Sequence, residues 1–338
     1  MGHRLERCDT SLIPEIPILD RDGWLNRLDQ RQPGPDRPYY AFYASTTGGI
    51  TTDPALMQVP VDDHLVHRGD GIFETLKSVN GAVYNAEAHL DRLAVSALGI
   101  GLGPCPAAAT LQRLMVAALR AAGQPDAAIR ILLSRGSGSM GVNPYDCIRP
   151  EIYILVGPLG VPLMQRQPDG ARIGYSRIPP KPPPFAAIKH CNYLPNALMA
   201  KEACDRGFDF VISRGADGRV LEGPTENLAV VTEDGWLLAP DTPDILPGTT
   251  LERVMTLAEP LREAGVLTGI RHARMDGDML SKAREVLITG TTHDLVAVVA
   301  IEQQPVGDGQ PGPIYHQLSQ DLREDIRSGP LRLPWMKG

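Results

Sequence analysis

A lysine inside an apolar stretch is the residue of this sequence best suited to covalent chemistry. Lys189 lies in the segment FAAIKHCNYLPN, after the apolar residues 185–188 and just before a predicted helix. Most lysines are solvated surface charges. Apolar surroundings disfavour the ammonium form, however, so the neutral amine becomes available as a nucleophile towards an aldehyde. Lys181 lies in a proline-rich loop and Lys201 on a helix among charges, and both are weaker candidates.

A carboxylate with two possible roles lies in the segment VLEGPTEN, between two stretches that have the pattern of strands. Glu222 is either an ordinary turn residue or a carboxylate that faces the ring nitrogen of a pyridine cofactor. In the second role it keeps this nitrogen protonated, which makes the ring an acceptor of electrons. These residues alone leave both roles open.

Three segments contain donors that suit a phosphate group. Residues 246–250 lead directly into a predicted helix, where Thr249 and Glu252 have the spacing of a capping box. Capping alone accounts for the threonine, but a helix N-terminus that follows glycine is also an anion site. Residues 290–292 offer a second set of donors after the predicted strand EVLIT. Arg92, in EAHLDRL, offers a fixed positive charge or is an ordinary arginine of a surface helix.

One glycine pattern resembles a nucleotide-binding motif. Residues 136–141 follow a predicted strand and match G-x-G-x-x-G. A dinucleotide site requires a helix directly after this motif, with its N-terminus directed at the pyrophosphate. Here Pro144 and Pro150 follow, and then another predicted strand. We therefore interpret the segment as a loop.

The composition indicates a globular protein without a broad surface for nucleic acid. The chain has 338 residues, of which 43% are apolar, a net charge of −7 and a pI of about 5.6. Such a chain lacks the basic surface that binds nucleic acid, although a small arginine cluster around an anionic ligand is compatible with it. The five cysteines form no Cys-x-x-Cys pair. Neither a metal site nor a disulfide framework is therefore predicted.

The N-terminal sequence and the hydropathy predict a cytoplasmic protein. The segment MGHRLERCDT has no apolar signal core, and Glu6 stands where a myristoylation motif requires Ser or Thr. No run of apolar residues is long enough to span a bilayer. We therefore expect no membrane partner. The scattered cysteines fit a reducing compartment.

Length and pattern predict two domains. We place an N-terminal arm at residues 1–37, a small α/β domain at 38–157, a linker rich in proline and glycine at 158–170 and a large domain with a mostly antiparallel sheet at 171–338. Asn80-Gly81 predicts a hairpin. Apolar periodicity predicts helices at 86–98, 110–122, 192–205, 250–264 and 314–326, and strands at 39–43, 128–134, 151–156, 171–178, 208–214, 220–223, 227–232, 236–240 and 285–290.

In this order, the motifs resemble the fold type IV (class IV) aminotransferases, which depend on pyridoxal 5′-phosphate. The similarity extends from about Tyr39 to Gly329 and is greatest to D-amino-acid transaminases and aminodeoxychorismate lyase-like proteins. It rests on the segments HRGDGIFETL (67–76), EAHLDRL (87–93), IKHCNYLPNALMAKEA (188–203), VLEGPTENLAVV (220–231), ILPGTTLERV (245–254) and LITGTTHDLVAV (287–298). The resemblance implies a two-domain α/β fold with a smaller N-terminal domain and a larger cofactor-binding domain.

The resemblance also implies roles for single residues. Lys189 is the Schiff-base lysine, Glu222 faces the pyridine nitrogen and Arg92 binds the phosphate. The other implied cofactor contacts are Tyr193, Asn227, Thr249, Thr250 and Thr291. The implied substrate contacts are Phe73, Thr292, Arg135, which resembles the carboxylate-binding arginine of bacterial D-amino-acid transaminases, and Arg130, which falls where branched-chain enzymes carry an arginine.

The implied reaction is transfer of an amino group from a D-amino acid, such as D-alanine, to a 2-oxo acid by a ping-pong mechanism. The implied assembly is a homodimer in which a loop of one subunit closes the site of the other. Asn192, three residues after Lys189, has the spacing that resembles D-amino-acid transaminases and aminodeoxychorismate lyases, whereas branched-chain enzymes typically have one residue more. Branched-chain L-amino-acid transamination, (R)-amine transamination and aminodeoxychorismate cleavage are the alternatives within the fold. A non-catalytic binding protein and a nucleotide-dependent oxidoreductase are the alternatives outside it.

Overall fold

Two β-sheets with flanking helices form the structure, a computed structural model that describes residues 16–30, 39–103, 105–241 and 244–336. Within the predicted arm, helix α1 (Arg21–Gln30) is formed and buries none of its residues. The rest of the arm, at residues 1–15 and 31–37, lies outside the described residues. Among the described residues, no helix combines the length and the apolar character needed to cross a bilayer.

The first sheet is antiparallel throughout and contains the predicted hairpin. Its strands are β1 (Ala41–Ala44), β2 (Gly49–Thr51), β3 (Gly71–Val79), β4 (Ala82–Tyr84), β5 (Ala127–Ser134), β6 (Glu151–Gly157) and β15 (Arg332–Pro334). They lie in the order β15-β4-β3-β5-β6-β1-β2. Asn80 and Gly81 join β3 to β4 with φ of 50° and 70°, the left-handed conformations that a tight hairpin turn requires.

The second sheet is antiparallel at its centre and parallel towards its edges. Its strands are β7 (Ala171–Tyr175), β8 (Phe210–Ile212), β9 (Asn227–Val231), β10 (Trp236–Pro240), β11 (Gly269–Ala273), β12 (Glu285–Gly290), β13 (Asp294–Ile301) and β14 (Gln304–Pro305). Their order is β11-β10-β9-β12-β13-β7-β8, with β14 on β13. Strands β11, β7 and β8 join by parallel pairing. The predicted α/β class with sheets rich in antiparallel pairs is confirmed.

Helices cover both sheets. Beside α1, they are α2 (His64–Arg68), α3 (Ala86–Gly99), α4 (Ala108–Ala122), α5 (Leu163–Arg166), α6 (Leu194–Arg206), α7 (Thr249–Leu257), α8 (Glu259–Glu263), α9 (Gly277–Ser281) and α10 (Pro313–Ser328). Leu93 of α3 and Met115 of α4 are fully buried in the core of the first sheet. Val254 of α7 and Leu318 of α10 are fully buried in one core of the second sheet. Burial of these apolar faces is the main force that holds helices on sheets.

Several predicted elements differ from the structure. Residues 220–223 form no strand, since Val220 makes only an isolated bridge to Arg214. The helix predicted at 250–264 is broken into α7 and α8, because Pro260 has no N–H to donate to the carbonyl of the preceding turn. Strand β13 was not predicted, because its continuous apolar run lacks the alternation of a half-exposed strand. The predicted linker contains the short helix α5.

The two sheets use different parts of the chain, with one exception. The first sheet runs to Gly157 and the second begins at Ala171. Strand β15 lies in the predicted large domain but pairs with β4 of the first sheet. The exact domain boundaries stay a prediction.

Candidate active site

Lys189 is held by backbone contacts to the first sheet and its helix. Its carbonyl oxygen accepts a hydrogen bond from the N–H of Phe73 on β3 at 2.9 Å. Its own N–H donates to Ser96 Oγ on α3 at 3.2 Å. The side chain is buried, with Nζ 4.7 Å from the ring centroid of Phe73 and 5.9 Å from that of Tyr193. The amine therefore lies beside both aromatic rings.

These surroundings change the acidity of the Lys189 ammonium. Burial is the largest cause that lowers its pKa, and the nearby Arg92 guanidinium lowers it further. The carboxylates of Glu74 and Glu222 act in the opposite direction, and the resulting pKa is about 8. A substantial fraction of the side chain is therefore a neutral amine near pH 8, as a nucleophile or a general base requires.

Glu222 lies in the loop between β8 and β9 and lines the same cleft as Lys189. Its Oε2 accepts hydrogen bonds from the Leu246 N–H at 3.0 Å and from Asn227 Nδ2 at 3.3 Å. Among the described residues, no donor contacts Oε1. Burial raises the pKa of Glu222 to about 7, although Lys181 and the Leu246 N–H lower it. One carboxylate oxygen is thus fixed and the other is available to a ligand.

At the other end of the cleft, a tight turn brings the chain into α7. Gly248 is the N-cap of this helix, and a Cβ at this position would lie 1.9 Å from Asn227 Oδ1. Any larger residue would therefore displace Asn227, which also donates from Nδ2 to the Leu246 carbonyl at 2.8 Å. Thr249 and Thr250 are both buried in the first turn. Their backbone N–H groups, at a helix N-terminus, suit an anion.

The predicted capping box at this helix is wrong. The N-cap is Gly248, and no side chain caps the helix. Thr249 is the first helical residue, and its Oγ1 lies 3.2 Å from His89 Nε2. Glu252 instead contacts His272 Nε2 at 3.0 Å. The threonine hydroxyl is therefore oriented towards the first sheet rather than towards its own helix.

Arg92 belongs to a buried network that the sequence did not predict. Its Nε and Nη2 donate to the two oxygens of Glu74 at 2.7 and 2.8 Å, and its Nη1 donates to the Pro247 carbonyl at 2.8 Å. His89 Nδ1 contacts Glu74 Oε2 at 2.7 Å. The His89–Arg92 spacing on α3 and a carboxylate within the buried strand GIFETL were the signals that could have indicated this network.

The Glu74 carboxylate is completely buried, and this fixes its charge. Burial by itself raises the pKa of Glu74, but Arg92 and His89 together lower it to about 2. A paired arginine of this kind stays in one orientation, because leaving either charge unpaired in the interior is costly. Glu74 therefore fixes Arg92 beside the turn that precedes α7.

The two predicted substrate arginines have different surroundings. Arg135 pairs through Nε and Nη2 with Asp70 at 3.0 Å, and it donates to the carbonyl oxygens of Ile100 and Gly101 at 2.8 and 2.6 Å. Arg130 is exposed, and among the described residues its side chain makes no ion pair or hydrogen bond. Its guanidinium carbon lies 5.2 Å from the ring centroid of Phe73, the ring that also faces Lys189. Of the two predicted substrate arginines, Arg130 is therefore the one whose charge is available to a substrate carboxylate.

The two predicted threonines after β12 are also separated. Register places Thr289 of β12 opposite Asn227, so the turn that contains Thr291 lies at the site end of the sheet. Thr292 instead lines a separate cavity with Lys77 and Asp294. The predicted cofactor role of Thr291 and the predicted substrate role of Thr292 stay predictions.

Sequence reasoning did not predict that Lys181 lies at this cleft. Its proline-rich loop folds back, so that Lys181 lines the cleft together with Lys189 and Glu222. Its Nζ lies 5.3 Å from the ring centroid of Tyr193. No local pattern predicts such a return, because it depends on the packing of a loop against α6.

The residues of this cleft fit pyridoxal 5′-phosphate. A neutral lysine amine suits the aldehyde, the available Oε1 of Glu222 suits a pyridine nitrogen, and the N-terminus of α7 with Arg92 suits the phosphate. No helix follows residues 136–141, where a 3-10 turn (Pro144–Asp146) and then β6 come next. The described geometry thus offers a place for pyridoxal phosphate and lacks the helix of a dinucleotide motif.

Comparison with known proteins agrees with this chemistry. The family model for amino-transferase class IV matches residues 71–301. A D-amino-acid transaminase, chloroplastic, from Arabidopsis thaliana is 36% identical over 93% of this chain and 83% of its own length. A putative branched-chain-amino-acid aminotransferase from Methanocaldococcus jannaschii is 30% identical over 83% of this chain and 95% of its own length.

A solved structure has the same fold. A branched-chain amino acid aminotransferase from T.th., solved with pyridoxamine 5′-phosphate, superposes with a TM-score of 0.81, covers 88% of this chain and 99% of its own, and is 24% identical. Fold and cleft thus define an enzyme of the fold type IV, pyridoxal-phosphate-dependent class. The chain belongs to the class IV aminotransferase family and is a pyridoxal-phosphate-dependent aminotransferase.

Proposed function

We propose that Lys189 is the catalytic lysine of this aminotransferase. The observation that supports it is a buried amine, with its pKa lowered to about 8, in one cleft with the carboxylate of Glu222. When bound, pyridoxal phosphate supplies an aldehyde and a ring that accepts electrons. Lys189 Nζ would then take the proton from the α carbon of the substrate and deliver it to the C4′ atom of the cofactor, since it is the neutral base in the cleft.

The other residues of the site bind the cofactor and orient it. Glu222 Oε1 holds the pyridine nitrogen, while Asn227 and the Leu246 N–H keep the carboxylate in place through Oε2. Burial raises the pKa of Tyr193, so its hydroxyl keeps its proton and serves as a donor. Thr250, Thr249, Thr291 and Arg92 hold the phosphate.

We propose a D-amino acid as the amino donor and a 2-oxo acid as the acceptor. The greater identity to the Arabidopsis relative named as a D-amino-acid transaminase supports the donor. Arg130, as the available cation beside Phe73, is the proposed ligand of the α-carboxylate. Because Arg130 falls where branched-chain enzymes carry an arginine, a branched-chain L-amino acid is the second candidate donor.

A spectral titration tests the donor. The protein with bound cofactor is mixed in separate cuvettes with D-alanine, D-glutamate, L-leucine and (R)-1-phenylethylamine, and the absorption band of the cofactor is followed. Loss of the band with D-amino acids alone is expected. Conversion by L-leucine would assign the branched-chain reaction, and conversion by the amine the (R)-amine reaction. Product formation without any 2-oxo acid would indicate a lyase.

We also propose a homodimer. The loop at residues 138–149 carries the large apolar side chains Met140, Val142, Tyr145 and Ile148, each at least 80% exposed. Exposed apolar groups so close together are typical of an interface. Light scattering should give twice the mass of 36.6 kDa, and a monomer carrying the full activity would contradict the dimer. A cytoplasmic location is proposed from the cysteine pattern, and cell fractionation tests it.

A further inference from the structure

An ion pair joins a strand of the first sheet to a strand of the second. Lys77 lies on β3, and its Nζ donates a hydrogen bond to Oδ1 of Asp294 on β13. Among the residues that the structure describes, no other ion pair links strands of the two sheets. The two side chains are 5% and 19% exposed, so their charges interact in surroundings from which most water is removed.

Asp294 ends the turn that connects β12 to β13. Strand register pairs it with Gly290, and residues 291–293 lie between them. The His293 N–H donates to the Gly290 carbonyl at 3.1 Å, which is the hydrogen bond of a β-turn. Asp294 itself has φ of 59°, a left-handed conformation that glycine adopts without strain and most other residues do not. The ion pair with Lys77 therefore holds the turn at its strained residue.

The turn at residues 291–293 adjoins both this ion pair and the candidate active site. Thr289 of β12 pairs with Asn227 of β9, and Asn227 Nδ2 donates to Glu222 Oε2 at 3.3 Å, so the hairpin ends at the cleft. Thr292 lines a cavity of about 260 Å³ together with both members of the ion pair. A change in the ion pair would therefore move the N–H and hydroxyl groups of the turn relative to the cleft.

Strand β3 contacts three parts of the site. The Phe73 N–H donates to the carbonyl of the proposed catalytic lysine, and the Glu74 carboxylate accepts from the proposed phosphate arginine. Lys77, on the same strand, donates to the carboxylate that ends the turn. Because β3 is paired with β5 over residues 71–78, these three contacts keep fixed positions relative to one another. Lys77 thus connects the turn to the strand that also holds the lysine and the arginine.

We propose that Lys77 and Asp294 are positioning residues, which orient the turn at 291–293 so that its N–H and hydroxyl groups bind the phosphate of pyridoxal phosphate. Lys77 acts through Asp294 and does not touch the phosphate. The ion pair keeps Asp294 in its left-handed conformation, and this conformation sets the direction of the turn before the cofactor binds. The inference rests on the phosphate contact proposed above for Thr291.

Binding of the cofactor with and without its phosphate group tests this role. The Kd of the full-length protein is measured by equilibrium dialysis for pyridoxal phosphate and for pyridoxal. Asp294→Asn keeps the shape of the side chain and tolerates a left-handed backbone. In this variant the preference for pyridoxal phosphate should fall about tenfold, since hydrogen bonds to the phosphate are misdirected. Lys77→Met should give the same fall, and Lys77→Arg should keep most of the preference.

Two further variants show whether the effect belongs to the ion pair. The double variant Lys77→Met/Asp294→Asn should lose no more of the preference than either single variant, because both remove the same contact. Tyr84→Phe is the matched control, since it removes a buried hydrogen bond from β4 to Asp325 on α10. It keeps the ring whose centroid lies 5.9 Å from Lys77 Nζ. The preference for pyridoxal phosphate should stay unchanged in this control.

Two results would overturn the positioning role. An equal fall in affinity for both ligands in Asp294→Asn and Lys77→Met would mean that the ion pair only stabilises the packing of the sheets. A preference that persists in full in both variants would refute the role of the pair and leave the phosphate contact of Thr291 in place. If the unchanged protein binds pyridoxal as tightly as pyridoxal phosphate, the proposed phosphate contact is itself refuted, and the positioning role with it.

Discussion

The two ends of the cleft differ in how completely their charges are paired. At the proposed phosphate end, Arg92 is bound by Glu74 on two nitrogens, and Glu74 is also contacted by His89. At the outer end, neither Lys181 nor Arg130 has an ion-pair partner among the described residues. The charged side chains of the first end are already held in place by ion pairs. Those of the second end are cations that a bound anion would pair with.

This difference matches the two kinds of ligand that an aminotransferase holds. A cofactor stays through every turnover, so a fixed arrangement lowers the cost of binding it. Substrates alternate between the two half-reactions, so their contacts must form and break. Paired charges therefore suit the cofactor end, and available charges suit the substrate end.

The largest effect is expected where the two ends meet, at Lys189. Lys189→Ala removes the amine that we propose binds the cofactor and moves the proton. Loss of the proton transfer alone should lower kcat by about 10²- to 10⁴-fold. Activity with the best amino donor and the absorption band of the cofactor measure this effect. Lys201→Ala should behave as the unchanged protein, and a band that survives in Lys189→Ala would refute the role of Lys189.

Removing the buried ion pair at the proposed phosphate end should lower the free energy of unfolding. Removing the charge of Lys181 at the outer end should not. Glu74→Gln leaves the Arg92 guanidinium buried without a counter-charge, which typically costs about 3–5 kcal/mol of unfolding free energy. Lys181→Gln removes no ion pair among the residues that the structure describes and should change the unfolding free energy by less than about 1 kcal/mol. Urea unfolding of both variants makes the comparison. Equal losses of unfolding free energy would show that the two ends do not differ in how their charges are paired.

The reaction of the protein with free pyridoxal phosphate should depend on pH through Lys189. Only the neutral amine attacks the aldehyde, and the pKa of Lys189 is about 8. The neutral fraction, and with it the rate of capture, should therefore rise about tenfold between pH 7 and pH 9. Stopped-flow absorbance of the cofactor-free protein measures the rate. A rise of about a hundredfold over this range would mean that the pKa is not lowered, because an ordinary lysine stays almost fully protonated up to pH 9.

The smallest effect is expected at the contact between the two sheets. Thr249→Val keeps the shape of the side chain but removes the contact of Oγ1 with His89 Nε2. The Kd of pyridoxal phosphate should rise about threefold to tenfold, since one neutral hydrogen bond is lost. Thr256→Val is the control, because its hydroxyl contacts only its own helix. No change in Kd would mean that the contact of Thr249 Oγ1 with His89 Nε2 does not help to bind the cofactor.

Local sequence was sufficient for the elements that bear the chemistry. The apolar run before Lys189 and the hairpin at Asn80-Gly81 depend on neighbours in the chain, and both were read from short segments. The same reasoning was wrong at the start of α7, where Thr249 turns towards His89 instead of capping its helix. It also missed β13, because a strand buried on both faces has no alternation to detect.

What the sequence by itself determined is the kind of chemistry: a lysine in apolar surroundings, a carboxylate and a glycine turn before a helix. What only the tertiary structure decided is which charges are paired. Arg135 meets Asp70 and Arg92 meets Glu74, whereas Lys181 folds back to the cleft without a partner among the described residues. Pairing depends on distances between residues far apart in the chain, and these exist only once the sheets and their helices have packed.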